Sequence, residues 1–225
     1  WVFGGLNSHR GLTSRVSSAS GMPVLALQYR MVPSVSLEQE VQDCLRGYKW
    51  LLEQGLKASN IVVMGDSAGG YLTLATALRI RSLRLPMPAA LVGISGVYDM
   101  SSAARAAHPN AARDRGGFLA GLDWLLKVVL GDLDSSDPAV SPMRAELSGL
   151  PPTLLTASSS EIVFCDSERL ASQLASAGVP CELQVWVGQP HVFQLLAPVI
   201  PEASRSISEI GHFVRVTVGS ARDAR

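Results

Sequence analysis

Apolar positions along the chain follow two alternating rhythms. Short runs rich in Val, Ile and Leu are separated by longer stretches in which apolar residues recur every three or four positions. Pro23–Tyr29, Asn60–Gly65, Ala89–Ser95, Thr153–Ser158 and Cys181–Val187 are runs of the first kind and predict buried strands. The second rhythm predicts helices over Leu37–Gln54, Ser67–Arg81, Gly117–Leu130, Ser167–Ala177 and Pro201–Val216. In the first helix Val41, Leu45, Tyr48 and Leu52 follow spacings of 4, 3 and 4, which puts them on one face. Leu170, Leu174 and Ala177 are in phase in the fourth, and Gly178 marks its stop.

Strands alternating with helices predict an α/β fold, a mostly parallel sheet with helices on both faces and right-handed crossovers. Residues 97–150 are less regular. They read as a partly irregular, cap-like insertion over the sheet, so that 1–225 form a single domain.

Composition removes several classes of partner. Basic and acidic residues balance at 19 each, with no basic run or acidic tail, so neither nucleic acid nor an anionic membrane surface is expected. Apolar stretches such as Pro23–Leu27 and Ala89–Ile94 are far too short to span a bilayer. The odd set Cys44, Cys165 and Cys181 has no disulfide-framework or metal-ligand spacing. These read as ordinary packing or surface thiols of a protein in a reducing, cytoplasmic compartment. No metal or nucleotide cofactor is expected.

Chemistry concentrates at Gly65-Asp66-Ser67-Ala68-Gly69-Gly70, between a predicted strand and a predicted helix. A sharp strand-to-helix turn there would raise the Ser67 hydroxyl above the sheet edge as a nucleophile. Small residues at Gly65 and Gly69 are expected because side chains would clash across that turn. The helix start beneath would aim the Ala68 N–H at a developing oxyanion.

A serine hydroxyl needs a base to take its proton. His191 lies on the loop after the last predicted strand, and loops after parallel strands open at one edge of a sheet. His9, His108 and His212 read as surface or capping residues. The base needs an acid to orient it. Glu161 and Asp166 both follow the Thr153–Ser158 strand. Asp166 can be explained as a cap of the next helix, which favours Glu161.

These residues resemble the hormone-sensitive-lipase-like, bacterial family IV esterases of the α/β-hydrolase superfamily, nearly end to end. Gly65–Gly70 matches the family's GDSAGG, and Tyr29-Arg30-Met31-Val32-Pro33 resembles its YRLAP. Gly149-Leu150-Pro151-Pro152, Ala177-Gly178-Val179-Pro180 and Pro190-His191-Val192-Phe193 resemble its GLPP, AGVP and histidine-loop segments. Ser160-Glu161-Ile162-Val163 looks like the family's Asp-Glu-Val-Leu variant, in which Glu is the acid. The family's Glu after YRLAP is Ser34 here, and its Phe-Pro is Ser36-Leu37.

Trp1–Arg10 resembles the stretch that follows the family's His-Gly-Gly-Gly oxyanion motif. That motif would end one residue before Trp1, so Gly4-Gly5 are not its counterpart. The first strands and an N-terminal cap would precede it, and a chain begun at Trp1 is expected to be a crippled enzyme.

The resemblance implies a serine carboxylesterase for short-to-medium acyl esters, working through an acyl-enzyme with Ser67, His191 and Glu161. Trp1, Val192 and Phe193 are candidate substrate-binding residues that could equally belong to the core. Asp66 is expected to support the elbow, and Asp99 to make a structural hydrogen bond. An amidase, deacetylase or lactonase would use the same parts. A non-catalytic binding protein is disfavoured because all three reactive residues are present. The partner implied is a small-molecule ester, and a homodimer is left open.

Overall fold

A computed structural model describes the backbone of residues 1–223 and side chains through residue 219. Four strands form one sheet in the order of the chain: β1 Val62–Asp66, β2 Ala90–Ile94, β3 Thr153–Ser158 and β4 Cys181–Trp186. All three pairings are parallel. Gly65 sits opposite Gly93, and Gly93 opposite Leu155, so the C-terminal ends of β1, β2 and β3 lie side by side.

Seven helices surround the sheet among the described residues: α1 Leu6–Ser20, α2 Leu37–Glu53, α3 Ala68–Ser82, α4 Ala103–Ala107, α5 Phe118–Leu130, α6 Phe164–Ser176 and α7 Pro201–Asp223. Because side chains alternate along a strand, β2 and β3 send neighbouring residues to opposite faces. On one face Leu91 and Leu155 pack with Leu74 and Ala77 of α3 and with Leu170 and Leu174 of α6. On the other, Val92, Ile94 and Leu154 pack with Ile210 of α7. Both faces are thus dry: every residue of β2 and β3 is buried, β2 as an unbroken apolar run and β3 with only small Thr and Ser among its apolar residues.

Outside the sheet, α2 joins α3 through Leu45, Tyr48 and Ile80. Ser36 begins α2 as a reciprocal cap: its hydroxyl accepts from the Gln39 N–H, and the Gln39 side chain accepts from the Ser36 N–H. The Ser36-Leu37 departure from the family pattern therefore has its own local function, with Leu37 buried behind the cap. The α1 helix lies against α7 so closely that a Cβ on Gly211 would stand 2.5 Å from the Ala19 carbonyl carbon.

Two expectations need correction. Pro23–Tyr29 is extended but belongs to no sheet, and Val24, Leu25 and Leu27 are more than a third exposed. A strand exists only where a neighbour satisfies its N–H and C=O groups, and among the described residues no backbone partner does so for this run. Conversely, α1 lies outside the helices read from the apolar rhythm. Its buried residues, Leu12, Val16 and Ser20, form a stripe one residue wide in a serine-rich segment.

The 97–150 stretch holds α4, α5 and two 3-10 turns. It is held to α6 by ion pairs, Arg105 with Asp166 and Asp99 with Arg169. No helix among the described residues is long and apolar enough to cross a membrane. The three thiols are unpaired, and burial pushes Cys44 up to about 12 and Cys181 up to about 11, leaving neither poised to ionise.

Candidate active site

Ser67 stands between the last residue of β1 and the first of α3, with φ 52° and ψ −114°. A non-glycine residue in this region is strained, and the fold secures it from both sides. The Ser67 N–H donates to the Ile94 carbonyl at 2.8 Å, and its own carbonyl accepts from Gly70 and Val97. Gly65 is required: a Cβ there would stand 2.2 Å from the Gly69 carbonyl oxygen. Gly69 is a correction, because a Cβ built on it meets nothing within 4 Å. What the turn needs at Gly69 is its backbone, packed against Gly65.

The chain folds two loops onto this serine. His191, on the turn after β4, brings its Nε2 to 2.9 Å from Ser67 Oγ. Glu161, on the turn after β3, brings Oε2 to 2.8 Å from His191 Nδ1. An ionised carboxylate only accepts, so Nδ1 carries the imidazole proton and the Nε2 lone pair faces the serine hydroxyl. The Glu161 side chain is 4% exposed and that of His191 23%, so Glu161 is enclosed and His191 reaches the surface. The other carboxylate oxygen, Oε1, accepts from the Ser158 N–H at 2.7 Å and from the Ser95 hydroxyl at 2.9 Å. The turn itself is clamped by Asn110, whose Nδ2 donates to the Ser159 and Glu161 carbonyls, each at 2.9 Å.

Ala68 opens α3, and no acceptor among the described residues meets its N–H. That donor sits at the positive end of a 15-residue helix whose axis starts at the nucleophile.

Asp166 has a different environment. Because α6 begins at Phe164, Asp166 falls inside its first turn and is not the cap expected of it. It is fully buried against Arg105, also fully buried, at 2.8 Å, and accepts from the Tyr98 and Asp99 N–H groups. Burial pushes this carboxyl up, opposed by the guanidinium and both N–H groups. Asp99 accepts from Arg144, Arg169 and the Ser101 N–H. Burial pushes its carboxyl up, but these donors outweigh that and hold it below its usual range.

Asp66 pairs with His9, Nε2 to Oδ2 at 3.1 Å. That hydrogen bond pushes the imidazole up from its ordinary value against partial desolvation. His9 is therefore a tie between α1 and the elbow, which spacing alone did not show. His108 caps a 3-10 turn by accepting from the Asn110 N–H and meets Glu168 at 3.2 Å. His212 is exposed on α7.

The three candidate pocket residues lie in the core. Trp1 is 2% exposed and meets Tyr71 edge-on; Val192 packs among Val92, Ile94, Leu154 and Ile210; Phe193 packs with Leu12, Val16 and Ile207. None offers an open face beside Ser67, because each apolar side chain is consumed by packing between helices and sheet. The ring beside the base is instead Phe118, at the start of α5, with its centroid 5.0 Å from that of His191 and 40% of its surface exposed. The paired glycines Gly116-Gly117 before an apolar aromatic were the available signal for it.

Comparison with known proteins shows the family of the chain. The model of the alpha/beta hydrolase fold family matches residues 1–195. The carboxylesterase/phospholipase LipF of Mycobacterium tuberculosis is 38% identical over 221 residues, which cover 96% of this chain and 59% of LipF. The chain thus spans less than two thirds of that relative. Esterase LipU of the same organism is 38% identical over 221 residues, covering 96% of this chain and 74% of LipU. The crystal structure of an esterase from the bacterial hormone-sensitive lipase family superposes with a TM-score of 0.92 at 35% identity, covering 96% of this chain and 73% of that one.

Proposed function

Because the chain belongs to the α/β-hydrolase fold family, in its hormone-sensitive-lipase-like branch, we propose that it is a serine carboxylesterase acting on small-molecule esters of short-to-medium acyl chains. The observation that carries this reading is the continuous hydrogen-bonded run from Ser67 through His191 to Glu161, at 2.9 and 2.8 Å. The esterases among its relatives support the class of bond.

In this mechanism Ser67 Oγ attacks the ester carbonyl while His191 Nε2 takes its proton. Glu161 holds the Nδ1–H and stabilises the imidazolium that forms. The oxyanion is met by the Ala68 N–H, a donor of a kind whose loss costs roughly 10²–10³ in rate. His191 then passes the proton to the departing alkoxide, and water, activated by the same imidazole, releases the acyl group. The half-exposed Phe118 ring gives the leaving alcohol an apolar wall beside the base.

The test is labelling with an alkyl fluorophosphonate, together with hydrolysis of a p-nitrophenyl ester chain-length series. Label and hydrolysis are expected on the unmodified protein, with both lost in Ser67→Ala and in His191→Ala. Undiminished hydrolysis in Ser67→Ala would overturn the reading.

A further inference from the structure

Ser95 follows the last residue of β2 and is completely buried. Its φ is 47°, in the left-handed region that glycine enters freely and serine does not. Its N–H is anchored to the Thr156 carbonyl at 2.8 Å, so the strained backbone holds one orientation. That orientation sends the hydroxyl between the two loops that carry the acid and the base. Ser95 Oγ donates to Glu161 Oε1 at 2.9 Å and accepts from the Val192 N–H at 3.4 Å. A hydroxyl has one proton and two lone pairs, so both contacts can be held at once.

We propose that Ser95 is a positioning residue that sets the acid and the base against each other, an inference that rests on the carboxylesterase reading above. Two donors, the Ser95 hydroxyl and the Ser158 N–H, fix Glu161 Oε1 and so turn Oε2 toward His191 Nδ1. The same hydroxyl reaches the residue after His191, which is itself held at φ 50°. Ser95 makes no contact with Ser67 Oγ; it acts through Glu161 and the histidine turn. Its conformation is the more informative for being strained. A glycine would occupy this backbone without steric cost, so what the serine contributes there is its hydroxyl.

The experiment compares Ser95→Ala and Ser95→Gly by steady-state hydrolysis of one p-nitrophenyl ester, each alone and combined with Glu161→Gln. Misplacing a reacting group by about 1 Å costs roughly 10²-fold; losing one of two donors to the acid is expected to lower kcat about tenfold in both variants. KM should stay unchanged, because no substrate contact is removed. The Gly variant relaxes the backbone and is expected to melt no lower than the Ala variant, which separates the hydroxyl from the fold. Combined with Glu161→Gln, the loss caused by either substitution should shrink toward none, because the group through which Ser95 acts is disabled.

Full kcat in Ser95→Gly would overturn the proposal, as would a loss of the same size with and without Glu161→Gln. If hydrolysis depends on Ser67 and the Ser95 variants keep full kcat, only this inference fails. If hydrolysis does not depend on Ser67, the carboxylesterase reading fails first and this one with it.

Discussion

Two carboxylates that follow β3, Glu161 on the connecting turn and Asp166 in the first turn of α6, stand in two regions built by opposite means. Asp166 meets a guanidinium that is as deeply buried as itself and two backbone N–H groups, all fixed in the interior. Glu161 is also enclosed, but one of its oxygens faces His191, which reaches the surface. The first arrangement holds the β2 loop to α6. The second leaves one titratable neighbour between the acid and the nucleophile. The two carboxylates are nearly equal in burial and differ in what they face. The helix-cap argument that favoured Glu161 gave Asp166 the wrong partners. Asp166 is occupied, but with Arg105 and the β2 loop, not with the start of α6.

The largest effect expected from this contrast is on catalysis at Glu161. Replacing it by Gln removes the charge that stabilises the imidazolium and lets the tautomer of His191 reverse, so kcat for a p-nitrophenyl ester should fall by about 10⁴-fold. The melting temperature should barely change, since the amide fills the same space. Asp166→Asn should do the reverse. It leaves the Arg105 guanidinium buried without a counter-charge, at a cost of about 3–5 kcal/mol, read as a lower urea midpoint. Below the new transition its kcat should remain within a few-fold of the parent. A catalytic collapse in Asp166→Asn without loss of stability would break the division between the two regions.

How much of this was legible in the sequence depends on the range of the interactions. Thr153–Ser158 was read to the residue, and the bounds of α2 and α3 within one residue, because apolar period and capping are local signals. Ser67, His191 and Glu161 could be placed together from the sequence because parallel strands bring their following loops to one edge, so chain order stands in for distance. The supports were not legible. Ser95 meets Glu161 across 66 positions, Arg105 meets Asp166 across 61, and His9 meets Asp66 across 57. No periodicity spans such gaps. For Trp1, Val192 and Phe193 the sequence left pocket and core equally open, and the structure packs all three in the core. Pro23–Tyr29 shows the same limit, since strand propensity describes a segment and a strand needs a neighbour.

The smallest expected effect concerns the pair His9–Asp66, which joins α1 to the elbow from outside the Ser67–His191–Glu161 run. The hydrogen bond to Asp66 raises the imidazole above its ordinary 6.5, chiefly by favouring the protonated form, while partial burial opposes it. A group whose value is raised on folding binds its proton more tightly in the native state. Its contribution to stability is therefore complete below the unfolded value near 6.5 and disappears as pH rises through the higher folded value. His9→Gln keeps a polar side chain but cannot carry the charge. The stability difference between parent and variant, from urea titrations at a series of pH values, should be largest at and below about pH 6. It should narrow steadily as the solution is made alkaline. Both proteins should keep the same kcat at alkaline pH, where the parent His9 is also neutral. A stability difference that grows with pH would mean that the neutral imidazole is the form α1 uses to hold the elbow, and would reverse the assignment of charge to this pair.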